Sequence, residues 1–270
     1  MGVRRWALEA ACWALGVGAL AGCATHPMPT AAGTEPPELR VAAAADLTKA
    51  FTEIAAAYRR ETGQKVTLTF GSTGLLTKQI ENGAPFDVFA AANESYIAQL
   101  EKEGHTLPGT AQLYALGRLA LWTRKGGPAC PTWVGALIAP RYDRIAIANP
   151  EHAPYGAAAR EAMQAAKLWT PLREHLVYGE NVQQALQYAQ SGNADVAIVA
   201  LSLAIGSNGD YTPIPPEMHR PLRQVMAALK STQQPEAAKR FVAFVNGPEG
   251  RPIMRKYGFL LPDEKLTAAR

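Results

Sequence analysis

The chain has 270 residues, of which 48% are hydrophobic and 19% are charged, and its net charge at pH 7 is +4. So small an excess of positive charge predicts no nucleic-acid partner, because nucleic-acid-binding proteins carry a strongly basic surface. After a leader and a tether are set aside, about 230 residues remain, enough for one large or two small α/β domains.

The first residues have the layout of a bacterial export signal. Arg4 and Arg5 precede an apolar stretch, and small residues follow it. The segment LAGC, which ends at Cys23, resembles the bacterial lipobox, in which the cysteine becomes the lipidated first residue of the mature chain. We therefore expect a lipoprotein signal peptide at 1–22, with an uncleaved membrane anchor as the alternative.

A proline-rich segment follows this signal. Residues 24–38, ATHPMPTAAGTEPPE, hold four prolines and no periodic apolar pattern, which predicts a flexible tether over 23–37. Cys12 would leave with the signal and Cys23 would be modified, so that Cys130 remains alone. No internal disulfide or cysteine metal cluster is then expected.

Short apolar runs alternate with helical patterns along the rest of the chain. LRVAAAA precedes DLTKAFTEIAAAYRRETG, KVTLTFG precedes STGLLTKQIENG, and FDVFAAA precedes ESYIAQLEKEG. This alternation predicts parallel strands with crossover helices. The later predicted elements are strands in LYALGRLALWTRKG and RIAIANP, helices near 156–167 and 181–191, strands in DVAIVALSLA and RQVMAALK, and one closing helix, PEAAKRFVAFVNGPEGRPIMRKYGF.

The first junction between a strand and a helix carries a carboxylate, Asp46. Asp is a preferred N-cap residue. The start of a helix is also an anion site, because its exposed N–H groups and the macrodipole create positive potential. The helix is amphipathic and lies on a sheet, so its start falls at the carboxyl edge of a strand, where ligands bind in open parallel sheets. Asp46 therefore either caps its own helix or occupies a position meant for a ligand.

Three further helix starts carry small or donor-rich residues. The turn FGSTG contains Ser72 and Thr73 but lacks the Gly-Lys-Ser/Thr ending of a nucleotide phosphate loop, and a plain turn with either residue as N-cap is an alternative. NPEHAPYG follows another strand, and ENVQQAL places Asn181 as N-cap with Gln184 three residues later, a capping box.

The sequence offers little support for catalysis. The five histidines are scattered, and neither an HExxH pair nor a GxSxG elbow occurs in the sequence. We therefore do not expect an enzyme. The alternative is a secreted serine hydrolase with Ser72 or Ser202 as nucleophile, although no pattern indicates a base for either serine.

These stretches together resemble the molybdate-binding family of periplasmic substrate-binding proteins, the capture subunits of ATP-driven oxyanion importers. The resemblance rests on the order and spacing of AAAADLTKAF, VTLTFGSTG, QIENGAPFDVFAAAN, IAIANPEHAPYG, ENVQQAL, SGNADVAIVALS and GPEGRPIMRKYGFL. It implies an α/β, two-lobed periplasmic-binding-protein fold of type II, in which each lobe is a mainly parallel sheet flanked by helices. Two crossing hinge strands join the lobes, and one oxyanion binds between them through neutral donors.

The resemblance also assigns site residues. The family binds its oxyanion through a Ser at the first helix start, a hydroxyl in the glycine-rich turn, two backbone N–H groups and a Tyr hydroxyl. The matching positions here, in that order, are Asp46, Thr73 with Ser72 beside it, Tyr155 and Val182, and Ala200. Asp46 and Ala200 depart from the family pattern, and both replace side-chain donors.

The departure at Asp46 leaves three alternatives. An ionised Asp46 would repel a bound dianion by roughly 4 kcal/mol for each unit of ligand charge at about 4 Å and an effective dielectric constant near 20. The side chain therefore caps its own helix, is protonated, or contacts the ligand differently. A related archaeal tungstate- and molybdate-binding group uses carboxylates as direct ligands to the metal, and Asp46 would then ligate Mo or W. On N-cap preference we favour capping.

The predicted protein is a monomeric, lipid-anchored solute-binding protein without a cofactor, on the periplasmic face of a bacterial membrane. It captures molybdate or tungstate and presents it to the membrane permease of an ABC importer. The alternative ligand is another small anion or an organic acid. Lobe 1 is expected at 38–118 and 225–267 and lobe 2 at 119–224, with hinges near Leu119 and Gln224. Closure would bring the helix starts of the two lobes together around the ligand.

Overall fold

The computed structural model describes residues 37–264. The predicted signal peptide, the lipidation site Cys23 and all but the last residue of the predicted tether lie outside the described residues. Among the residues described, no helix is both long enough and apolar enough to cross a membrane.

Ten strands and eight α-helices make up the described part of the chain. The strands are β1 (Leu39–Ala44), β2 (Val66–Gly71), β3 (Val88–Ala91), β4 (Gln112–Gly117), β5 (Leu119–Arg124), β6 (Ile145–Ala148), β7 (Leu176–Gly179), β8 (Val196–Ala200), β9 (Gly209–Pro213) and β10 (Leu222–Ala228). The helices are α1 (Thr48–Thr62), α2 (Thr73–Glu81), α3 (Glu94–Lys102), α4 (Pro154–Ala165), α5 (Val182–Ser191), α6 (Leu201–Ala204), α7 (Pro235–Val245) and α8 (Gly250–Lys256).

The strands form two five-stranded sheets, which define two lobes. The first lobe has the order β2-β1-β3-β10-β4, in which β1 is parallel to β2 and β3 while β10 runs antiparallel to both of its neighbours. The second lobe has the order β7-β6-β8-β5-β9, in which β6 is parallel to β7 and β8 while β5 is antiparallel to β8 and β9. Helices flank both sheets, so the predicted two-lobed α/β fold is confirmed.

The hydrophobic pattern of the chain explains the two sheets. All residues of β3, β6 and β8 are buried, as expected for strands covered by helices on both faces. On the first lobe, α1 packs its apolar face against α7, where the rings of Tyr58 and Phe241 meet edge-on with centroids 5.3 Å apart. This apolar packing fixes α1 against α7 in the first lobe.

Two chain segments cross between the lobes. Arg118 alone separates β4 of the first sheet from β5 of the second, and the other crossing runs from the end of β9 to Leu222 at the start of β10. Gln224 lies within β10, opposite Ala115 of β4, and the register shifts by a β-bulge directly after it. The predicted bounds of the two lobes stay a prediction.

The structure departs from the expected elements in three places. The stretch LYALGRLALWTRKG divides at Arg118, and DVAIVALSLA ends as a strand at Ala200 and continues as α6. The predicted single closing helix is wrong, because α7 ends at Val245 and α8 begins at Gly250. The breaker sequence NGPEG separates them, and a Cβ on Gly250 would collide with the carbonyl of Val245.

Candidate functional site

A small cavity lies where helix starts of the two lobes meet. Its wall is formed by 44–46, 71–73, Ala92, 153–155 and 181–182, and the space open to the centre of a water-sized sphere is about 10 Å³. These segments precede or begin α1 and α2 in the first lobe and α4 and α5 in the second. The lobes are therefore closed around the cavity in this structure.

The cavity wall offers hydrogen-bond donors without positive charge. None of the described residues that form the wall is Lys, Arg or His. The N–H groups of a first helical turn have no acceptor within the helix, and the macrodipole adds positive potential there. The wall is therefore suited to an anion held by neutral groups.

Asp46 does not cap a helix. It lies in a 3-10 turn, Ala45–Leu47, and neither this turn nor α1 receives a side-chain cap hydrogen bond. Its buried carboxyl turns inward, where Oδ2 accepts a hydrogen bond from Gln224 Nε2 at 2.6 Å. Oδ1 is buried and has no hydrogen-bond partner. The capping interpretation is wrong, because β1 ends at Ala44 and the carboxyl is held by a tertiary contact.

Gln224 is the centre of a buried network that joins the lobes. Its Nε2 also donates to Tyr155 Oη at 3.0 Å, and its Oε1 accepts from Tyr114 Oη at 2.9 Å. Tyr155 belongs to α4 of the second lobe, whereas Gln224 and Tyr114 belong to strands of the first. Gly117 makes room for this arrangement, since a Cβ there would collide with Tyr155 Oη.

Burial dominates the electrostatics of this network. Loss of solvation raises the pKa of Asp46 from 3.8 to about 6, although hydrogen bonds from Gln224 and Tyr155 oppose the shift. Burial and the neighbouring Asp46 charge hold the pKa of Tyr155 and of Tyr114 well above the usual value. Both phenols therefore stay neutral at physiological pH, where Tyr114 Oη donates to Gln224 and Tyr155 Oη accepts from it.

Thr73 presents a hydroxyl to the cavity. It is the first residue of α2 and is buried in the cavity wall. Its Oγ1 accepts a hydrogen bond from the backbone N–H of Ala92 at 3.1 Å, which fixes the side chain and leaves its own proton for a ligand.

Ser72 joins the lobes and does not cap α2. Its Oγ donates to the carbonyl oxygen of His152 at 2.6 Å and lies 2.8 Å from His152 Nδ1, and no side-chain cap hydrogen bond is present. The backbone N–H of Gly74 donates to the same carbonyl at 2.9 Å. His152 lies in the loop before α4, so this contact closes the cleft beside the cavity.

Tyr155 and Val182 lie in the first turns of α4 and α5 and line the cavity. Their role as backbone donors to a ligand stays a prediction. The predicted N-cap at Asn181 is confirmed, because its Oδ1 accepts from the N–H groups of Gln183 and Gln184 at 3.0 Å. The phenol of Tyr155 has a role that sequence analysis did not assign.

Ala200 is not part of the cavity wall. It is the buried last residue of β8, paired with Leu119 of β5. Its neighbour Ser202 donates to the backbone carbonyl of Asp46 at 2.8 Å, so this segment supports the 3-10 turn from behind.

Sequence analysis missed the side chains of Gln224, Tyr114 and His152. An amide within the apolar strand RQVMAALK was a usable signal for the first, since a buried polar group in a strand must find a partner. No local pattern indicated that Tyr114 or His152 would face these partners.

Two α/β lobes that are joined by crossing strands and close on a donor-lined cavity define a two-lobed solute-binding protein. The comparison with protein families agrees, since a model described as "Bacterial extracellular solute-binding protein" matches residues 39–260. The chain belongs to this family, which is a family of binding proteins and not of enzymes.

Three relatives illustrate the similarity. Molybdate-binding protein ModA of Rhodobacter capsulatus is 38% identical over 234 residues, covering 86% of this chain and 90% of the relative. The protein of the same name from Azotobacter vinelandii is 36% identical over 227 residues, covering 82% and 89%. The solved structure of a periplasmic molybdate-binding protein from Azotobacter vinelandii superposes with a TM-score of 0.79 at 32% identity, covering 83% of this chain and 100% of that one. The resemblance inferred from the sequence is confirmed.

Proposed function

We propose that this protein captures a tetrahedral oxyanion, molybdate or tungstate, outside the cytoplasmic membrane and delivers it to the permease of an ABC importer. The observation that carries the proposal is the closed cavity at helix starts from both lobes, with neutral donors and, among the described residues that form its wall, no cationic side chain. The choice of anion is supported by the relatives from Rhodobacter capsulatus and Azotobacter vinelandii, which are named molybdate-binding proteins.

Three donors are placed to hold the anion. The hydroxyl of Thr73 comes from the first lobe, and the first-turn N–H groups of Tyr155 and Val182 come from the second. Donors fixed on helix starts stabilise a dianion without rearranging, and they select by size and shape. Because they come from both lobes, opening of the cleft would release the ligand.

We assign Asp46 a hydrogen-bonding role. Its Oδ2 is already held by Gln224, and residues 37–264 contain no group of three side chains that could hold a metal ion. Direct coordination of Mo or W by Oδ1 is the alternative, and titration of Asp46→Asn with molybdate distinguishes the two roles.

Ser72 and His152 lie within hydrogen-bonding distance, a pair that a serine hydrolase would also use. Here the Ser72 hydroxyl donates to a backbone carbonyl, and within the described part of the chain no carboxylate forms a hydrogen bond or ion pair with the His152 ring. We therefore assign the pair to lobe closure. Ester or phosphate-ester hydrolysis that disappears in Ser72→Ala would overturn this assignment.

We further propose that Cys23 carries the lipid anchor, that the protein acts as a monomer and that it needs no cofactor. The sequence LAGC after an export signal supports the anchor.

The direct test is calorimetric titration of the purified protein with molybdate, tungstate, sulfate and phosphate, with Thr73→Val beside the wild type. We expect one anion per chain and roughly tenfold or greater weakening in Thr73→Val, since a hydrogen bond to a charged group contributes about 1.5–3 kcal/mol. Thr77→Val is the matched control, because Thr77 lies on the same helix and its Oγ1 bonds only the Thr73 carbonyl. Absence of binding by every anion would contradict the proposal, and a melting-temperature screen of organic acids would then follow.

A further inference from the structure

The two oxygens of the Asp46 carboxyl have different surroundings. Oδ2 accepts from Gln224 Nε2 at 2.6 Å, and the same Nε2 donates to Tyr155 Oη at 3.0 Å. Oδ1 has no partner although it is buried, and Asp46 forms part of the cavity wall. A buried, unpartnered carboxyl oxygen among donors meant for an anion requires an explanation, because unpaired buried polar atoms are costly.

The orientation of Gln224 fixes which oxygen of the Asp46 carboxyl is left without a partner. Tyr114 Oη lies 2.9 Å from Gln224 Oε1 and 3.2 Å from the carbonyl oxygen of Ala91. Gln224 directs its Nε2 towards Asp46 and Tyr155. Oδ2 is therefore the acceptor of the network. If the carboxyl holds a proton, that proton lies on Oδ1, where a ligand oxygen is the acceptor within reach.

We propose, on the basis of the oxyanion function above, that the ligand binds together with one proton, which Oδ1 of Asp46 carries and donates to a ligand oxygen. Gln224 is then the positioning residue that keeps Oδ1 facing the ligand. The balance is simple: the ionised carboxyl, one solvent proton and the dianion give a neutral carboxyl hydrogen-bonded to the dianion. No covalent bond forms or breaks in the protein.

The surroundings of Asp46 favour this proton. The groups that face it are Tyr155 from α4, Tyr114 from β4 and Gln224 from β10, and none is charged at neutral pH. The nearest cation along the chain, Lys49 of α1, directs its ammonium to the carbonyls of Leu203 and Ile205 at 2.8 and 2.6 Å. An ionised Asp46 beside a dianion would thus have no compensating charge in the wall.

Protonating Asp46 costs less free energy than holding an ionised Asp46 beside the dianion. Burial already brings the pKa of Asp46 to about 6, so protonation at pH 7 weakens binding only about tenfold. The repulsion between an ionised carboxylate and the dianion, roughly 4 kcal/mol for each unit of ligand charge, would weaken binding by about a thousandfold or more. Uptake of a proton is therefore the less costly route.

The test is calorimetric titration of the full chain with molybdate between about pH 6.5 and 8.5, in pairs of buffers with different ionisation enthalpies. We expect the wild type to take up close to one proton per bound anion at the upper end of this range. Its affinity should fall about tenfold per pH unit above the pKa of Asp46.

Asp46→Asn separates the alternatives. Its amide oxygen can accept from Gln224, and its amide N–H can replace the Oδ1 proton as a permanent donor. We expect binding without proton uptake, little pH dependence, and higher affinity than the wild type at pH 8.5. Direct coordination of Mo or W by the carboxylate predicts the reverse, a loss of molybdate and tungstate binding in Asp46→Asn, and that result would overturn the inference.

Gln224→Met tests the positioning role. Gln224 lowers the pKa of Asp46 by donating a hydrogen bond to its carboxyl. Loss of Gln224 should therefore raise the pH at which affinity begins to fall. A merely structural role would weaken binding equally at every pH. Tight wild-type binding that neither varies with pH nor takes up a proton would overturn the inference and leave the proposed function intact. Failure of wild type and Asp46→Asn to bind any oxyanion would instead contradict the proposed function.

Discussion

The hydroxyl of Ser72 lies 2.6 Å from the carbonyl oxygen of His152 and 2.8 Å from its Nδ1, so one serine of the first lobe contacts both the backbone and the ring of one histidine of the second. Ser72 is also part of the cavity wall. Ligand affinity therefore includes the free energy of closing this contact.

Removal of the Ser72 hydroxyl should weaken ligand binding without unfolding either lobe. Ser72→Ala removes two hydrogen bonds between the lobes, together about 2 kcal/mol or less, which predicts a loss of affinity of roughly tenfold to thirtyfold. Calorimetric titration measures the loss. Ser191→Ala is the matched control, because Ser191 bonds only the carbonyl of Tyr188 on its own helix. Equal affinities in both variants would show that the contact does not contribute to closure.

A side chain at Gly74 should hold the cleft open. A Cβ at this position would lie 2.7 Å from the carbonyl oxygen of His152, which Gly74 N–H now binds. Gly74→Ala should weaken binding, and Gly74→Val should weaken it more, because a β-branched side chain also crowds Thr73. Small-angle scattering should show a larger radius of gyration with ligand present. If either variant closes and binds ligand as the wild type does, the contact between Gly74 and His152 is not needed for closure.

Ligand-free stability should fall as pH rises through the folded-state pKa of Asp46. That pKa is raised from 3.8 to about 6, so the folded state binds more protons than the unfolded state in this window. The stabilisation is full below about pH 3.8 and is lost above about pH 6, a change of about 3 kcal/mol.

The comparison of wild type with Asp46→Asn isolates this effect. We expect urea unfolding of the two ligand-free proteins to diverge between about pH 4 and pH 8, with the Asn variant relatively more stable at pH 8. Other carboxyl groups titrate in both proteins and cancel in the difference. Parallel curves would mean that the pKa of Asp46 in the folded protein is not raised above its unfolded value.

The proposed lipid anchor depends on the Sγ atom of Cys23. Cys23→Ser should leave ligand affinity unchanged and move the protein from the membrane fraction to the soluble extracytoplasmic fraction, because acyl chains alone would hold it at the membrane. Fractionation with immunodetection measures this. A serine variant that stays with the membrane would point to an uncleaved apolar segment as the anchor.

Local sequence signals were reliable where the deciding contacts are local. The alternation of apolar runs with helical patterns predicted the α/β lobes, because each strand and each amphipathic helix follows from its own periodicity. Asn181 was predicted as an N-cap, and its oxygen accepts from N–H groups two and three residues away. The closing helix was misjudged because the amphipathic pattern on both sides of NGPEG outweighed the breaker residues.

The sequence by itself determined the fold class, the family and the positions of the helix starts that surround the cavity, since these depend on periodicity and on residues close together in the chain. Only the tertiary structure decided what Asp46 and Ser72 do. The capping preference of Asp46 gave way to Gln224, 178 residues away, and Ser72 bonds His152, 80 residues away. In a closed and desolvated cleft, a buried carboxyl or hydroxyl bonds whichever partner the fold brings within reach, and an N-cap preference of about 1 kcal/mol cannot compete with that requirement.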